Sequence, residues 1–285
     1  MKTFEHWQIA YRQSGQAKFQ LVPNPTWAWA ADPFLVDYRG KKMLFAELFL
    51  YKSERNGVIG YCEFDGNKFS EWTVSMDKHW HLSYPNIWED NGKLYMCPES
   101  YQAEEIAIYE LIELPNKWKK VKILMQNEKC VDSTFFRYAG EEYLFTYRLT
   151  NSGIIGELIL YKVGKDGKLI EGKIVSDNIE NARPGGKVIE NDGKIIRVSQ
   201  DSGNGYGSGL VFSVIENLYP VYRETEIKRI KPKDISIDNS SKYQGIHTYN
   251  KLGELEVIDL KYNVFSIREF LAQKRVRKVF LNKYC

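Results

Sequence analysis

The chain has no long hydrophobic run, no closely spaced cysteine pair and almost no net charge, and each absence removes a class of protein. Nowhere do about 18 apolar residues follow one another, so no membrane-spanning helix is expected. The opening MKTFEHWQIAYRQ lacks the apolar core of a signal peptide, from which a cytoplasmic location is expected. Cys62, Cys97, Cys130 and Cys285 are scattered without a CxxC, which argues against a zinc knuckle and a disulfide framework and leaves free thiols. Forty basic residues against 37 acidic ones leave a charge of +3, too balanced for a nucleic-acid-binding surface. What the chain does have is a composition of 43% hydrophobic and 14% aromatic residues, enough for a sizeable core built from strand-favouring side chains.

Those residues recur in a pattern. Five segments share one design, an apolar run, a polar turn with glycine and a second apolar run: ADPFLVDYRGKKMLFAEL from Ala31, SYPNIWEDNGKLYMCPES from Ser83, VDSTFFRYAGEEYLFTYR from Val131, ARPGGKVIENDGKIIRVSQD from Ala182 and GIHTYNKLGELEVIDL from Gly245. Their turn glycines, Gly40, Gly92, Gly140, Gly193 and Gly253, recur every 48 to 60 residues, the length of one four-stranded blade. Further strand pairs follow most hairpins, as in GVIGYCEF with FSEWTVSM. The fold class expected is all-β, a five-bladed β-propeller over residues 1–265. The fifth unit has too little chain after it to finish a blade, so HWQIAYRQ and FQLVP at the N-terminus are expected to pair with it and close the ring. Residues 266–285 read as a C-terminal basic amphipathic helix, with peripheral contact to an anionic membrane as one of its uses.

A hairpin returns to the end where it began, so residues flanking each turn at equal distance meet. This pairs Asp32 with Glu47, Tyr84 with Glu99, Asp132 with Tyr147 beside Arg148, Arg183 with Gln200 and Asp201, and His247 with Asp259. In a propeller these positions crowd one mouth of the central channel. Carboxyls crowded there cannot all stay ionised, and the resulting split into a protonated acid and a charged carboxylate is what glycosidic chemistry uses. Trp27, Trp29, Trp80 and Tyr84 are candidates to stack on sugar rings, and Arg148 and Arg183 to grip hydroxyl, carboxylate or phosphate groups. His247 and His81 complete the set of candidate substrate contacts. His79 and His81 flank Trp80 without further metal ligands, and neither a catalytic metal nor a cofactor is expected.

In ADPF, in KHWHLSYPNIWEDNGKLYMCPES, in VDSTFF and in RPGGKVIENDGKIIRVSQD with the YG that follows, the chain resembles the N-terminal domain of the plant glucosamine inositolphosphorylceramide transferases and its bacterial relatives. That domain is similar in turn to the propellers of glycoside hydrolase families 43, 32 and 68. The resemblance runs over residues 28–260. It implies that Asp32 matches the base or nucleophile of the hydrolase propellers, Glu99 the acid and Asp132 the carboxylate that orients substrate. Glu47, Trp29, His81, Tyr84, Arg148, Arg183, Gln200, Asp201 and His247 are then the substrate-binding set.

The function expected from this is a glycosyltransferase-like enzyme of bacterial surface-polysaccharide synthesis, capsule or O-antigen, with a carbohydrate substrate, an activated sugar donor and a lipid-linked acceptor. Two alternatives stay open: a glycoside hydrolase or phosphorylase using the same acids, and a non-catalytic glycan-binding propeller.

Overall fold

A computed structural model describes residues 3–52, 56–150 and 155–265. The expected C-terminal helix, like Cys285, lies outside these residues. Five antiparallel sheets are arranged in chain order. Blade one consists of Ala28–Tyr38, Lys41–Leu50, Gly57–Phe64 and Thr73–Met76. Blade two consists of Ser83–Asp90, Lys93–Glu99, Glu105–Glu113 and Lys117–Gln126. Blade three follows with Cys130–Tyr138, Glu141–Leu149, Gly156–Val163 and Leu169–Ser176. Blade four holds Ile189–Asn191, Lys194–Asp201, Gly209–Asn217 and Arg223–Ile230.

The fifth blade is shared between the two ends of the described chain. Tyr249–Leu252 pairs with Leu255–Val264, which pairs along its whole length with Phe4–Gln13, and Gln20–Leu21 adds the outer strand. This is the closure expected for HWQIAYRQ and FQLVP. One apolar cluster fills each of the five seams between neighbouring blades, so the packing also runs unbroken round the ring. At the seam that closes it, Ile9, Tyr11, Leu255 and Val257 of blade five meet Ala30, Leu44, Leu48 and Val58 of blade one.

The hairpin turns show why glycine marks them. Arg39 and Gly40, Asn91 and Gly92, Ala139 and Gly140, and Asp192 and Gly193 all have positive φ, the two-residue type I′ geometry that matches strand twist. The opposite end of the first strand is equally regular. In blades one to three its register shifts between Ala31 and Phe34, Ser83 and Asn86, and Val131 and Thr134. Each of these β-bulges holds a non-glycine residue at positive φ, Asp32 (52°), Tyr84 (42°) and Asp132 (50°). A bulge re-aims the side chain it carries and leaves backbone groups without ladder partners. Those freed N–H groups organise the site.

Candidate functional site

The bulge N–H groups are capped by carboxylates that pass round the mouth from one blade to the next. The N–H of Asp32 donates to Asp259 Oδ2 of blade five (3.0 Å), that of Tyr84 to Asp32 Oδ2 (3.1 Å), and that of Asp132 to Glu99 Oε2 (3.3 Å). Within blade five, the N–H groups of His247 and Thr248 donate to Asp259 Oδ1 (3.0 and 2.9 Å). The hairpin arithmetic therefore finds the right neighbourhood but misses by one position: Glu47, Glu99 and Tyr147 lie opposite Ala31, Ser83 and Val131, because the extra bulge residue advances the first strand.

Asp32 is buried and takes a second donor, Thr248 Oγ1 (2.8 Å), on its other oxygen. His247 Nε2 stands 3.5 Å from that oxygen, while Nδ1 lies 2.6 Å from Asp259 Oδ2 in an ionic contact rather than an aligned hydrogen bond. Burial pushes the Asp32 carboxyl up to about 6, with Asp132 and Asp259 adding to the rise and His247 opposing it. For His247, burial favours the neutral ring, but Asp259 and Asp32 outweigh it and raise the imidazolium above its ordinary value. Trp7, from the ring-closing strand, stacks on this imidazole at 3.9 Å between ring centres. Asp32, His247 and Asp259 offer donor atoms within 4.8 Å of one another, close enough for a cation, yet both carboxyls already have the imidazole as a partner.

Across the mouth, Asp132 Oδ2 accepts from Arg183 Nε and from Gln200 Nε2 (2.8 Å). Gln200 Nε2 also donates to the Pro184 carbonyl (2.8 Å), and its Oε1 is buried without a partner among the described residues. Glu99 lines the mouth half-buried; the crowded surroundings, then Asp132, raise its pKa well above the carboxylate range, with Arg183 opposing. Glu47 is raised in the same direction by burial, then by Asp32 and Glu99. Beside it stands His81, whose Nδ1 accepts the Gly57 N–H (3.0 Å) and whose Nε2 lies 3.5 Å from Glu47 Oε1. Burial depresses the His81 imidazole to about 4, so the ring is neutral at pH 7 with its proton on Nε2, facing Glu47.

The structure thus gathers Asp32, Glu47, His81, Glu99, Asp132, Arg183, Gln200 and His247 at one mouth, and places the other candidates elsewhere. Asp201 turns away from its neighbour Gln200 and accepts from Arg229 Nη1 of the outer strand (2.7 Å). Arg148 bonds Glu157 across the sheet (3.0 Å). Trp29 lies flat on Phe49, 4.4 Å between ring centres. Tyr84 is fully buried and crosses the channel to blade four, where its hydroxyl donates to the Gly186 carbonyl (3.0 Å) and accepts the Gly186 N–H (2.8 Å).

Tyr84 is one member of a floor of buried side chains that tie the innermost strands together. Asn250 Nδ2 donates to the Pro33 carbonyl (2.6 Å), the Phe135 N–H donates to Asn86 Oδ1 (3.0 Å), and Lys187 Nζ donates to the Leu35 carbonyl (2.6 Å). Burial lowers the Lys187 ammonium to about 7. Sequence reasoning left out Lys187, Thr248, Trp7 and Tyr206; for Trp7 the signal was available, since a strand closing the ring must present residues to the mouth.

The ring is a five-bladed propeller, and the solved structures that it resembles in fold are glycoside hydrolases. An α-L-arabinofuranosidase from Podospora anserina in complex with cellotriose superimposes with a TM-score of 0.60 at 10% identity, covering 91% of this chain and 98% of that one. A family 43 β-xylosidase/α-arabinofuranosidase from a compost metagenome gives 0.61 at 11% identity, covering 89% and 94%. A family 32 β-fructofuranosidase from Bombyx mori gives 0.60 at 15% identity, covering 94% and 60%. At these identities the likeness shows the fold.

Family membership comes from sequence: residues 17–265 match the model of the N-terminal domain of glucosamine inositolphosphorylceramide transferase 1, and the chain belongs to that family. The glucosamine inositolphosphorylceramide transferase 1 of Arabidopsis thaliana is 32% identical over 214 residues, 69% of this chain and 27% of the relative. That of Oryza sativa subsp. indica is 30% identical over 256 residues, 82% and 34%. The chain thus spans about a third or less of the length of these relatives.

Proposed function

We propose that the propeller is a carbohydrate-active enzyme domain that binds a sugar at the acidic mouth and acts there on a glycosidic bond, in the direction of transfer. The observation that carries this reading is the side-by-side placement of two kinds of carboxyl. Burial and neighbouring charges raise the carboxyls of Glu47 and Glu99 well above the ordinary carboxylate range and so favour their protonated forms, while Asp32, close to His247 and two hydrogen-bond donors, is poised to lose its proton near pH 6. A proton donor next to a carboxylate is the minimum that protonation of a departing oxygen and activation of an attacking group require. In this reading Glu99, half-buried at the rim, is the acid, Asp32 the base or nucleophile, and Asp132, held by Arg183 and Gln200, the orienting group.

The relatives' name speaks of glucosamine, of inositolphosphorylceramide and of transfer, which favours a transferase acting on a lipid-borne acceptor over a hydrolase. Those relatives are plant proteins, so the expected setting in bacterial surface-polysaccharide synthesis draws no support from them. One observation favours a binding-only reading: Asp32, Glu99 and Asp259 already spend oxygens on bulge N–H groups.

Incubation with nucleotide sugars and lipid-linked or synthetic acceptors, beside aryl glycosides, separates the readings. Transfer that falls at least about 100-fold in Asp32→Asn is expected. Release of the aryl alcohol would mean hydrolysis, and sugar binding without turnover in wild type would mean a lectin-like domain.

A further inference from the structure

The sequence offers four aromatic residues as platforms for a sugar ring, and the structure spends three of them on packing. Tyr84 is channel floor, Trp29 lies against Phe49, and Trp80 is partly buried against the seam between blades one and two. Trp27 is exposed, but among the described residues it has no ring contact with the charged cluster.

Tyr206, in the glycine-rich segment between the second and third strands of blade four, meets the requirement instead. It is 43% exposed, yet tied to the cluster on several sides. Its ring stands edge-on to His247 (5.2 Å, 80°) and to Trp7 (6.1 Å, 75°), and the Arg183 guanidinium lies over it, 5.1 Å from its centre.

The loop that carries it is well anchored. Lys261 Nζ donates to the Tyr206 carbonyl (2.7 Å), the Ile246 N–H donates to that of Gly207 (2.8 Å), and the Gly205 N–H closes a turn on Ser202 (3.0 Å). Gly207 has φ +72°, and a Cβ there would meet the Trp7 ring at 2.8 Å, so glycine is what lets Trp7 lie beneath this loop. The result is a ring held by His247, Trp7 and Arg183 that still keeps exposed surface. Its hydroxyl makes no hydrogen bond among the described residues. A pinned aromatic with a free hydroxyl, next to hydrogen-bonding groups, has the amphipathic character of a sugar subsite, where C–H groups need an apolar surface and hydroxyls need partners.

We propose that Tyr206 is the stacking platform of the site and that it selects a closed-ring sugar presenting a face of C–H groups, whose edge hydroxyls turn toward Arg183, Asp132 and the unpartnered Gln200 Oε1. This rests on the reading of the mouth as a carbohydrate site. A linear polyol, which has the hydroxyls but no ring face, is a poor ligand by the same logic.

The test is calorimetric binding of methyl glycosides, UDP-sugars and a linear hexitol to the full chain and to two variants. For the tightest-binding sugar, Tyr206→Ala is expected to raise the Kd about 30-fold or more, through loss of both contact area and hydroxyl. Tyr206→Phe, which keeps the ring, is expected to stay within about fivefold. Both variants should melt with wild type, because the loop is anchored through backbone carbonyls and N–H groups that the substitutions leave in place. Tyr206→Ala binding as wild type does overturns the proposal, as does hexitol binding equal to that of the ring sugar. If Tyr206→Ala melts early, saturation-transfer NMR on wild type decides: transfer to the sugar's ring-face protons that disappears in Tyr206→Leu supports the platform, and transfer that persists overturns it. Wild type that binds no sugar at all refutes the carbohydrate reading itself, a failure distinct from an unaffected Tyr206→Ala.

Discussion

Glu47 shows how the mouth stores a proton. Burial and the neighbouring charges of Asp32 and Glu99 raise its carboxyl far above the usual range, so in the folded protein it binds a proton that the unfolded chain would have released. A raised folded pKa contributes stability that is fully present below the unfolded value, 4.5 for Glu47, and is lost as pH rises through the folded one. His81 and Lys187, both lowered, run the opposite way, so the difference between variant and wild type is the informative quantity. Glu47→Gln, neutral at every pH, should gain stability relative to wild type as pH rises from 4.5 to 8, measured by urea unfolding. A difference that is flat with pH would mean that Glu47 titrates as an ordinary surface acid.

At this scale the sequence was read well for residue type and less well for direction. Strand alternation alone says that if Gln200 faces the channel, Asp201 does not, and the same holds for Tyr147 and Arg148. Distance from a turn, which places all of these residues near one rim, does not carry that alternation. Tyr206 was hidden for another reason: a glycine-rich loop has no period from which a side chain's direction can be read.

Among the elements, the N-terminal strand Phe4–Gln13 does two jobs. Its ten residues pair with Leu255–Val264 to close the ring, and the same strand presents Ile9 to the seam and Trp7 to His247. Ile9 is fully buried, and Ile9→Ala should cost about 3 kcal/mol in urea unfolding, the usual range for a large-to-small change in a core. Loss below about 1 kcal/mol would show that this seam is loosely packed. The pairing was legible because the fifth hairpin lacked strands to complete it. The bulges were not, since nothing in ADPF, SYPN or VDST announces an extra residue in a strand, and the one-position offset of Glu47, Glu99 and Tyr147 follows from them.

On the scale of the whole molecule, five seams of similar construction hold the blades at a radius where their first strands face one another across a narrow channel. Side chains of Tyr84 and Lys187 reach across that channel, and those of Asn86 and Asn250 tie neighbouring blades beside them, which makes the floor of the mouth. This number of blades was visible in the glycine spacing, and the mouth in the convergence of Asp32, Glu99 and Asp132; the floor was not, because most of its contacts join residues over 100 positions apart, as with Tyr84 and Gly186. The account claims that a sugar sits in this mouth against those acids. Its most direct measurement is a crystal structure of the chain soaked with the tightest-binding sugar of the calorimetric panel. A ring in the mouth, within hydrogen-bond reach of Glu99 and of the Asp32 or Asp132 carboxylate, is the predicted result; the same sugar ordered elsewhere on the propeller, with the mouth holding only water, would contradict it.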